Sequence, residues 1–184
     1  MKKVLYIVLG ILIIICGWLI HQYNYDSQTI KESVLIGDGY RSTIGEEYRA
    51  VKFFIKPDWF ELDTNKRQNM HEVVTRVGNS QIVLTEIWVR EEVNDVYFTF
   101  TVENKLSRKS GYFITQNLAN YTGELPMPNI QLLSENEQEI ALGQFAQGPE
   151  EYFSFGINHE DADEIEHGFT VVASIYFGVQ YDKD

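Results

Sequence analysis

The chain has 184 residues and a formal net charge of −12 at pH 7, from 27 acidic and 15 basic side chains. This excess of acids argues against nucleic acid as a partner, because phosphates and an acidic surface repel each other. It is compatible with a basic protein partner. Cys16 is the only cysteine, so the chain can form no internal disulfide, and its 14% of aromatic residues must help to supply a stabilising core.

The N-terminal segment combines two lysines with a long apolar run. Lys2 and Lys3 precede residues 4–20, which contain no charged side chain. Seventeen helical residues reach about 25 Å, the lower edge of what spans a hydrocarbon core about 30 Å thick. The sequence therefore predicts a single-pass membrane anchor at residues 4–20, with the lysines holding the N-terminus in the cytoplasm and the rest of the chain outside.

Two alternatives for this segment stay open. A cleavable signal peptide has the same charged start, but residues 15–21 contain no small-x-small pattern that would mark a cleavage site. Acylation of Cys16 would make the chain a lipoprotein, although Ile15 stands where a small residue is expected. The pattern favours the uncleaved anchor over both.

The anchor interpretation divides the chain into three parts. Residues 1–23 form the anchor, residues 24–31 are polar and aperiodic and predict a stalk, and residues 32–184 are long enough for one extracytoplasmic domain with its own core. Lys2 and Lys3 are the only charged residues before residue 24, so the remaining chain carries −14.

The outer domain shows one helical pattern among many strand patterns. Residues 47–56 predict a strand that ends before Pro57, which cannot donate to a ladder. A helix is predicted from Asp63 or Thr64 to Val77, since apolar residues at 70, 73, 74 and 77 repeat with helical spacing. Residues 95–103 alternate strictly between apolar and polar side chains, as in a half-buried strand, and residues 91–94 fit a hairpin turn before it.

Further strands are predicted at residues 81–90, 111–117, 129–133, 138–145, 151–156 and 168–181. Strands at hairpin spacing with one helix indicate a mainly β (α+β) fold, an antiparallel sandwich with one packed helix.

The last hundred residues also resemble a family. A strand runs into Val102-Glu103-Asn104-Lys105, followed by Gly148-Pro149-Glu150-Glu151-Tyr152-Phe153-Ser154-Phe155 and a closing strand. This pattern resembles uncharacterised immunoglobulin-like extracellular domains of membrane-anchored or lipoprotein Gram-positive proteins. The resemblance implies an extracellular immunoglobulin-like sandwich and carries no functional residue with it.

The densest polar segment is residues 158–167. If it is helical, His159, Asp163 and His167 share one face and could hold a metal ion. His159-Glu160-Asp161-Ala162-Asp163 also resembles a zinc signature with aspartate in place of its second histidine. A hydrolytic site needs a further ligand that the sequence does not supply, so the pattern favours an acidic connection between two strands.

Tyrosines on the predicted strands are candidates for partner binding. Tyr97, Tyr112 and Tyr176, with Tyr121 and Tyr152, lie on strands or adjoining loops. Such residues give a sheet face a large rigid contact area. The alternative, which the sequence favours, is that they line the inner face of a sandwich.

The function predicted from the sequence is a membrane-tethered, extracytoplasmic, non-enzymatic domain that binds a protein or cell-envelope ligand. No catalytic motif and no cofactor is predicted. One alternative is an immunity or inhibitor protein that neutralises a basic secreted toxin. The other is a metal-dependent hydrolase that uses the His159–His167 region.

Overall fold

The computed structural model describes residues 2–23, 26–60, 66–116, 118, 127–149 and 151–184. Asp63, Thr64, Asn117 and Tyr121, which figure in the predictions above, lie outside the described residues. Within them, the chain forms two antiparallel sheets that enclose a common core. The predicted mainly β class is therefore confirmed.

Three α-helices occur in the described residues: α1 at Lys2–Tyr23, α2 at Ser27–Ile36 and α3 at Ala162–Ile165. Single 3₁₀ turns occupy Pro57–Trp59 and His159–Asp161. No helix in this described part of the chain is both long and apolar enough to cross a membrane.

Eleven strands in the described residues make up the two sheets, and their bounds are as follows: β1 Tyr40–Ile44, β2 Arg49–Ile55, β3 Arg67–Val77, β4 Ser80–Arg90, β5 Asp95–Asn104, β6 Ser110–Thr115, β7 Asn129–Leu133, β8 Glu139–Ile140, β9 Phe145–Gln147, β10 Phe153–Asn158 and β11 Phe169–Lys183.

The first sheet has the strand order β3-β4-β5-β10-β9. Its inner face is aromatic: Phe98 and Phe100 are fully buried and contact the rings of Phe153 and Phe155 on the neighbouring strand. Thr99 and Thr101 point the other way and are half-buried. The alternation predicted for residues 95–103, and the hairpin turn before it, are therefore confirmed.

The second sheet is organised around β11. Its first half pairs with β2 and β7, and its second half pairs with β1 and β6. A register shift between Ser174 and Tyr176 separates the halves. Because a bulge adds a residue, it changes which side chains face inward. Ile175 and Tyr176 both join the large core between the sheets, whereas Val179 and Tyr181 join a second, smaller core.

Helix α2 covers this second core. Ile30 and Val34 pack with Phe113, Val179 and Tyr181. The helix ends at Ile36, and the following Gly37 has φ +75°, as is common after a helix C-terminus. The stalk predicted for residues 24–31 is thus corrected from Ser27 onward. Residues 24–31 are mostly polar in sequence because only one side of α2 packs on the sheet, and that side has few apolar residues.

The helix predicted from Asp63 or Thr64 to Val77 is wrong over its described part, where β3 stands instead. The ladder between β3 and β4 shifts register twice, between Asn69 and Glu72 and between Val73 and Thr75. Met70, Val74 and Val77 consequently pack on the core. Their spacing of four and three residues arises from bulges in a strand and imitates the period of a helix.

The strand predicted at residues 138–145 also needs correction, because it consists of two strands in different sheets. β8 pairs with β7, and β9 pairs with β10. Between them the Gly143 amide donates to the Gly156 carbonyl at 2.9 Å. The chain therefore crosses from one sheet to the other within this apolar segment.

Candidate functional site

The outer face of the first sheet carries a row of guanidinium and aromatic groups. Residues Arg67, Trp88 and Tyr97 stand opposite one another on β3, β4 and β5. The guanidinium carbon of Arg67 lies 5.4 Å from the centre of the Trp88 ring, and that of Arg90 lies 3.9 Å from the centre of the Tyr97 ring. We call Arg67, Trp88, Arg90 and Tyr97 the Arg–aromatic ladder. Cation–π attraction of this kind holds the four side chains in defined positions.

Carboxylates fix both arginines of the ladder. Arg67 Nε donates to Glu86 at 2.7 Å, and Arg90 Nε donates to Asp95 at 2.7 Å. Asp95 is only 4% exposed, and its hydrogen bond raises the pKa of Arg90, so the guanidinium stays charged. A Cβ atom on Gly156 would lie 2.5 Å from the Asp95 carboxylate. Glycine at that position therefore makes room for the ion pair.

A cavity of about 150 Å³ adjoins this ion pair at the tip of the β4–β5 hairpin. The His159 amide donates to the Asn94 carbonyl at 2.9 Å and joins the hairpin to the turn before α3. The residues that line the cavity are Val89, Arg90, Glu91, Asn94, Asp95 and His159. His159 and Tyr97, which the sequence singled out for separate reasons, thus both contribute to the region around Arg90.

The metal interpretation of His159, Asp163 and His167 gains no geometric support. His159 lies in a 3₁₀ turn, Asp163 lies in α3, and α3 ends at Ile165 before His167 is reached. The continuous helix that would align the three side chains does not form. Among the described residues, no group of three or more histidine, cysteine, aspartate and glutamate side chains is placed to hold a metal ion.

The three tyrosines proposed for partner binding have different surroundings. Tyr97 belongs to the ladder, and its hydroxyl lies 2.6 Å from Ser154 Oγ. Tyr112 is half-buried and accepts a hydrogen bond from Arg49 at 2.9 Å. Tyr176 is fully buried in the core and contacts the Phe153 ring, so it cannot meet a partner. Strict alternation along β11 would place Tyr176 opposite the apolar face, and the register shift between Ser174 and Tyr176 turns it inward. Tyr176 is therefore no partner-binding residue, in agreement with the alternative that these tyrosines line an inner face.

A buried ion pair lies at a second place and joins α2 to the sandwich. Lys31 pairs with Glu151, and the two side chains are 9% and 3% exposed. Thr115 donates to the same carboxylate oxygen, and the Gln116 amide donates to the other oxygen at 2.5 Å. No sequence pattern indicates this cluster, because its members are separated by up to 120 residues and none belongs to a motif.

Carboxylates gather at the end of the molecule that contains the cavity. The hydrogen bond between His159 and Asn94 brings the hairpin and the α3 region together. We call this region the acidic end; it comprises Glu91, Glu92, Glu160, Asp161, Asp163, Glu164 and Glu166, of which all but the half-buried Asp161 are exposed.

No known protein family, curated protein or solved structure matches the chain at a significant level.

Proposed function

We propose that this chain is a non-enzymatic, membrane-tethered extracytoplasmic domain that binds a protein partner through the outer face of its first sheet. The Arg–aromatic ladder carries this proposal. Tryptophan, tyrosine and arginine are the residue types that dominate binding energy at protein interfaces. Here they stand on neighbouring strands with their positions fixed by ion pairs, so little side-chain entropy is lost on binding.

Membrane tethering is supported by the sequence of residues 4–20. Seventeen residues without a charge follow Lys2 and Lys3, a pattern that is typical of an anchor with its N-terminus in the cytoplasm. Tethering would confine the domain to a thin layer and raise its effective concentration for a partner in the same layer.

An immunoglobulin-like relationship is a further part of the proposal. It is supported by the antiparallel sheets that enclose one core and by the sequence resemblance of the last hundred residues. An experimental structure that superposes on such domains strand by strand would support it, and a different strand order would reject it.

Replacing Trp88 with alanine tests the binding face. The full chain in detergent is cross-linked to envelope proteins, and the amount of each cross-linked partner is quantified for the wild type and W88A. We expect at least a tenfold loss of a specific partner, because an interface tryptophan often contributes 2 kcal/mol or more.

The matched control is Phe54→Ala. Phe54 is 42% exposed on β2, in the other sheet, so its removal deletes an exposed ring away from the ladder. Partner capture should survive F54A. Equal capture by the wild type, W88A and F54A would reject the ladder as the binding face.

The acidic end favours a second candidate, an inhibitor or immunity protein against a basic secreted toxin. Seven carboxylates within two connected segments outnumber the neighbouring Arg67 and Arg90, so that end has an excess of negative charge. This candidate requires binding through the acidic end and not through the ladder, so capture that survives W88A but is lost when the acidic end is neutralised would favour it.

A further inference from the structure

The loop between β5 and β6 is basic and is held beside the start of α2. Lys105 and Lys109 are exposed, and Arg108 lies between them. The Leu106 amide donates to the Ser27 hydroxyl at 3.0 Å, which fixes the loop against the first residue of the helix. We call residues 105–109 the basic loop.

Two further hydrogen bonds make the basic loop a fixed part of the domain. The Asn79 side chain donates to the Lys105 carbonyl at 3.1 Å, and the Lys183 amide donates to the Lys109 carbonyl at 2.6 Å. Lys183 is itself exposed and adds a fourth basic side chain. Four exposed acids also lie in this region: Asp182 and Asp184 flank Lys183, Asp26 directly precedes Ser27, and Asp38 precedes Gly39, whose carbonyl accepts from the Asp184 amide at 3.2 Å. Asp184 pairs with Arg41 at 2.8 Å.

Chain connectivity places the basic loop close to the end of α1. Only residues 24–26 separate Tyr23, the last residue of α1, from Ser27. Four residue steps span at most about 14 Å. The end of α1 therefore lies within about 14 Å of Ser27, the residue that the basic loop contacts.

The two ends of the β4–β5 pair differ in charge, although Arg67 and Arg90 of the ladder lie at the same end as the acidic segments. β4 and β5 pair from Ser80 and Asn104, next to the basic loop, to Arg90 and Asp95, next to the acidic end. Nine further residues along a strand cover about 30 Å. The net charge of −12, taken for the whole chain, hides this separation.

We propose that the basic loop contacts the headgroups of anionic lipids and so orients the domain, with its acidic end pointing away from the membrane. The proposal rests on the membrane tethering proposed above. A tether alone leaves the domain free to rotate, whereas basic side chains within a Debye length of anionic headgroups are attracted to them. The charge of the loop is opposite to that of anionic headgroups, and the proposed anchor adjoins it, so a lipid surface is the partner that fits this loop.

Site-resolved lysine labelling of the full chain in vesicles tests the orientation. The chain is reconstituted in phosphatidylcholine vesicles with or without 30 mol% phosphatidylglycerol, and outward-facing molecules are labelled with a membrane-impermeant amine reagent. Phosphatidylglycerol should slow labelling of Lys105 and Lys109 at least threefold, and 0.5 M NaCl should reverse the effect. Lys52 and Lys56 on and after β2 are also exposed and serve as internal controls whose rates should not change.

Separate readouts distinguish the two proposals. Retention of the chain in vesicles after alkaline carbonate extraction supports the anchor, and release rejects it. Equal labelling rates at all four lysines in the two lipid mixtures would overturn the orientation, whether or not the chain is retained. Selective slowing at Lys105 and Lys109 in a chain that carbonate releases would keep the lipid contact and reject the anchor.

Discussion

At the scale of single residues, the Lys31–Glu151 pair has the clearest energetic consequence. Replacing Glu151 with glutamine should destabilise the fold by about 3–5 kcal/mol, because Lys31 would remain buried without its charged partner. Replacing Lys31 with methionine should cost less, since Thr115 and the Gln116 amide still donate to the Glu151 carboxylate. Urea denaturation followed by near-ultraviolet circular dichroism measures both changes.

The double variant and an exposed pair provide the controls. Because K31M/E151Q leaves no unpaired charge, it should cost less than the sum of the two single changes. Arg41→Gln, which breaks the exposed pair with Asp184, should change stability by less than about 1 kcal/mol. Additive costs for Lys31 and Glu151 would show that the pair is not energetically coupled.

Tyr176 should make the protein sensitive to alkali. Burial raises the pKa of its phenol well above the usual 10.0, and the Glu151 carboxylate acts in the same direction. The unfolded chain therefore loses this proton first, so the contribution of Tyr176 to stability is constant below about pH 10 and falls as pH rises further. Unfolding free energies of the wild type and Y176F, measured at pH 8 and at pH 11, should show a smaller alkaline loss for Y176F.

The same substitution should be well tolerated at pH 8. Gln116 interacts with the Tyr176 hydroxyl in a way that lowers the pKa of the phenol against the larger effect of burial, but within the described part of the chain neither the hydroxyl nor the Gln116 side-chain nitrogen reaches hydrogen-bonding geometry. Removing the hydroxyl therefore breaks no well-formed hydrogen bond. A large loss of stability at pH 8, or an unchanged alkaline loss, would contradict this account.

The contacts of individual side chains explain why the sequence predicts some of the candidate site residues and not others. Tyr97 follows from the alternation of β5, which a regular strand displays in its sequence. The inward position of Tyr176 depends on a bulge, and the Lys31–Glu151 pair depends on contacts distant in sequence. Neither leaves a local pattern.

At the scale of elements, α2 should behave as a docked unit with its own stability. Val34 is fully buried against the second core, whereas Ile36 on the same helix is 64% exposed. Val34→Ala should therefore speed amide hydrogen exchange across Ser27–Ile36, with the protection of β4 and β5 largely retained. Mass spectrometry of the exchanged peptides measures both regions.

Ile36→Ala is the matched control, because it removes a larger aliphatic side chain from the exposed side of the helix. It should leave exchange within Ser27–Ile36 nearly unchanged. Comparable acceleration by V34A and I36A would mean that the helix is not held by packing on its sheet.

The elements also show which sequence signals are reliable. β5 was predicted correctly because every inward residue follows a period of two. β3 was mistaken for a helix because two bulges place Met70, Val74 and Val77 inward at helical spacing. The spacing of apolar residues alone cannot distinguish a bulged strand from a helix. The bulges form where β3 pairs with β4, and this pairing is not visible in the sequence of β3 itself.

At the scale of the whole molecule, folding distributes the charged side chains unevenly, so the two ends of the β4–β5 pair differ in charge. The sequence predicted an acidic domain and a basic partner, but it could not locate the charges. The basic loop and the acidic end lie at opposite ends of the β4–β5 pair. A tether next to the basic loop would present the acidic end to the surroundings.

For the second candidate, an inhibitor that binds a basic partner through the acidic end, binding should depend on salt and on which carboxylates are neutralised. If a basic partner contacts the acidic end, raising NaCl from 50 to 500 mM should weaken binding, because ions screen the attraction. E91Q/E92Q/E164Q should weaken binding and flatten this salt dependence. Exposed acids elsewhere provide the control: D38Q/E46Q/E47Q removes the same charge from the segments flanking β1. Titration of the captured partner by calorimetry compares the two triple variants, and equal effects would indicate attraction by net charge without a defined acidic surface.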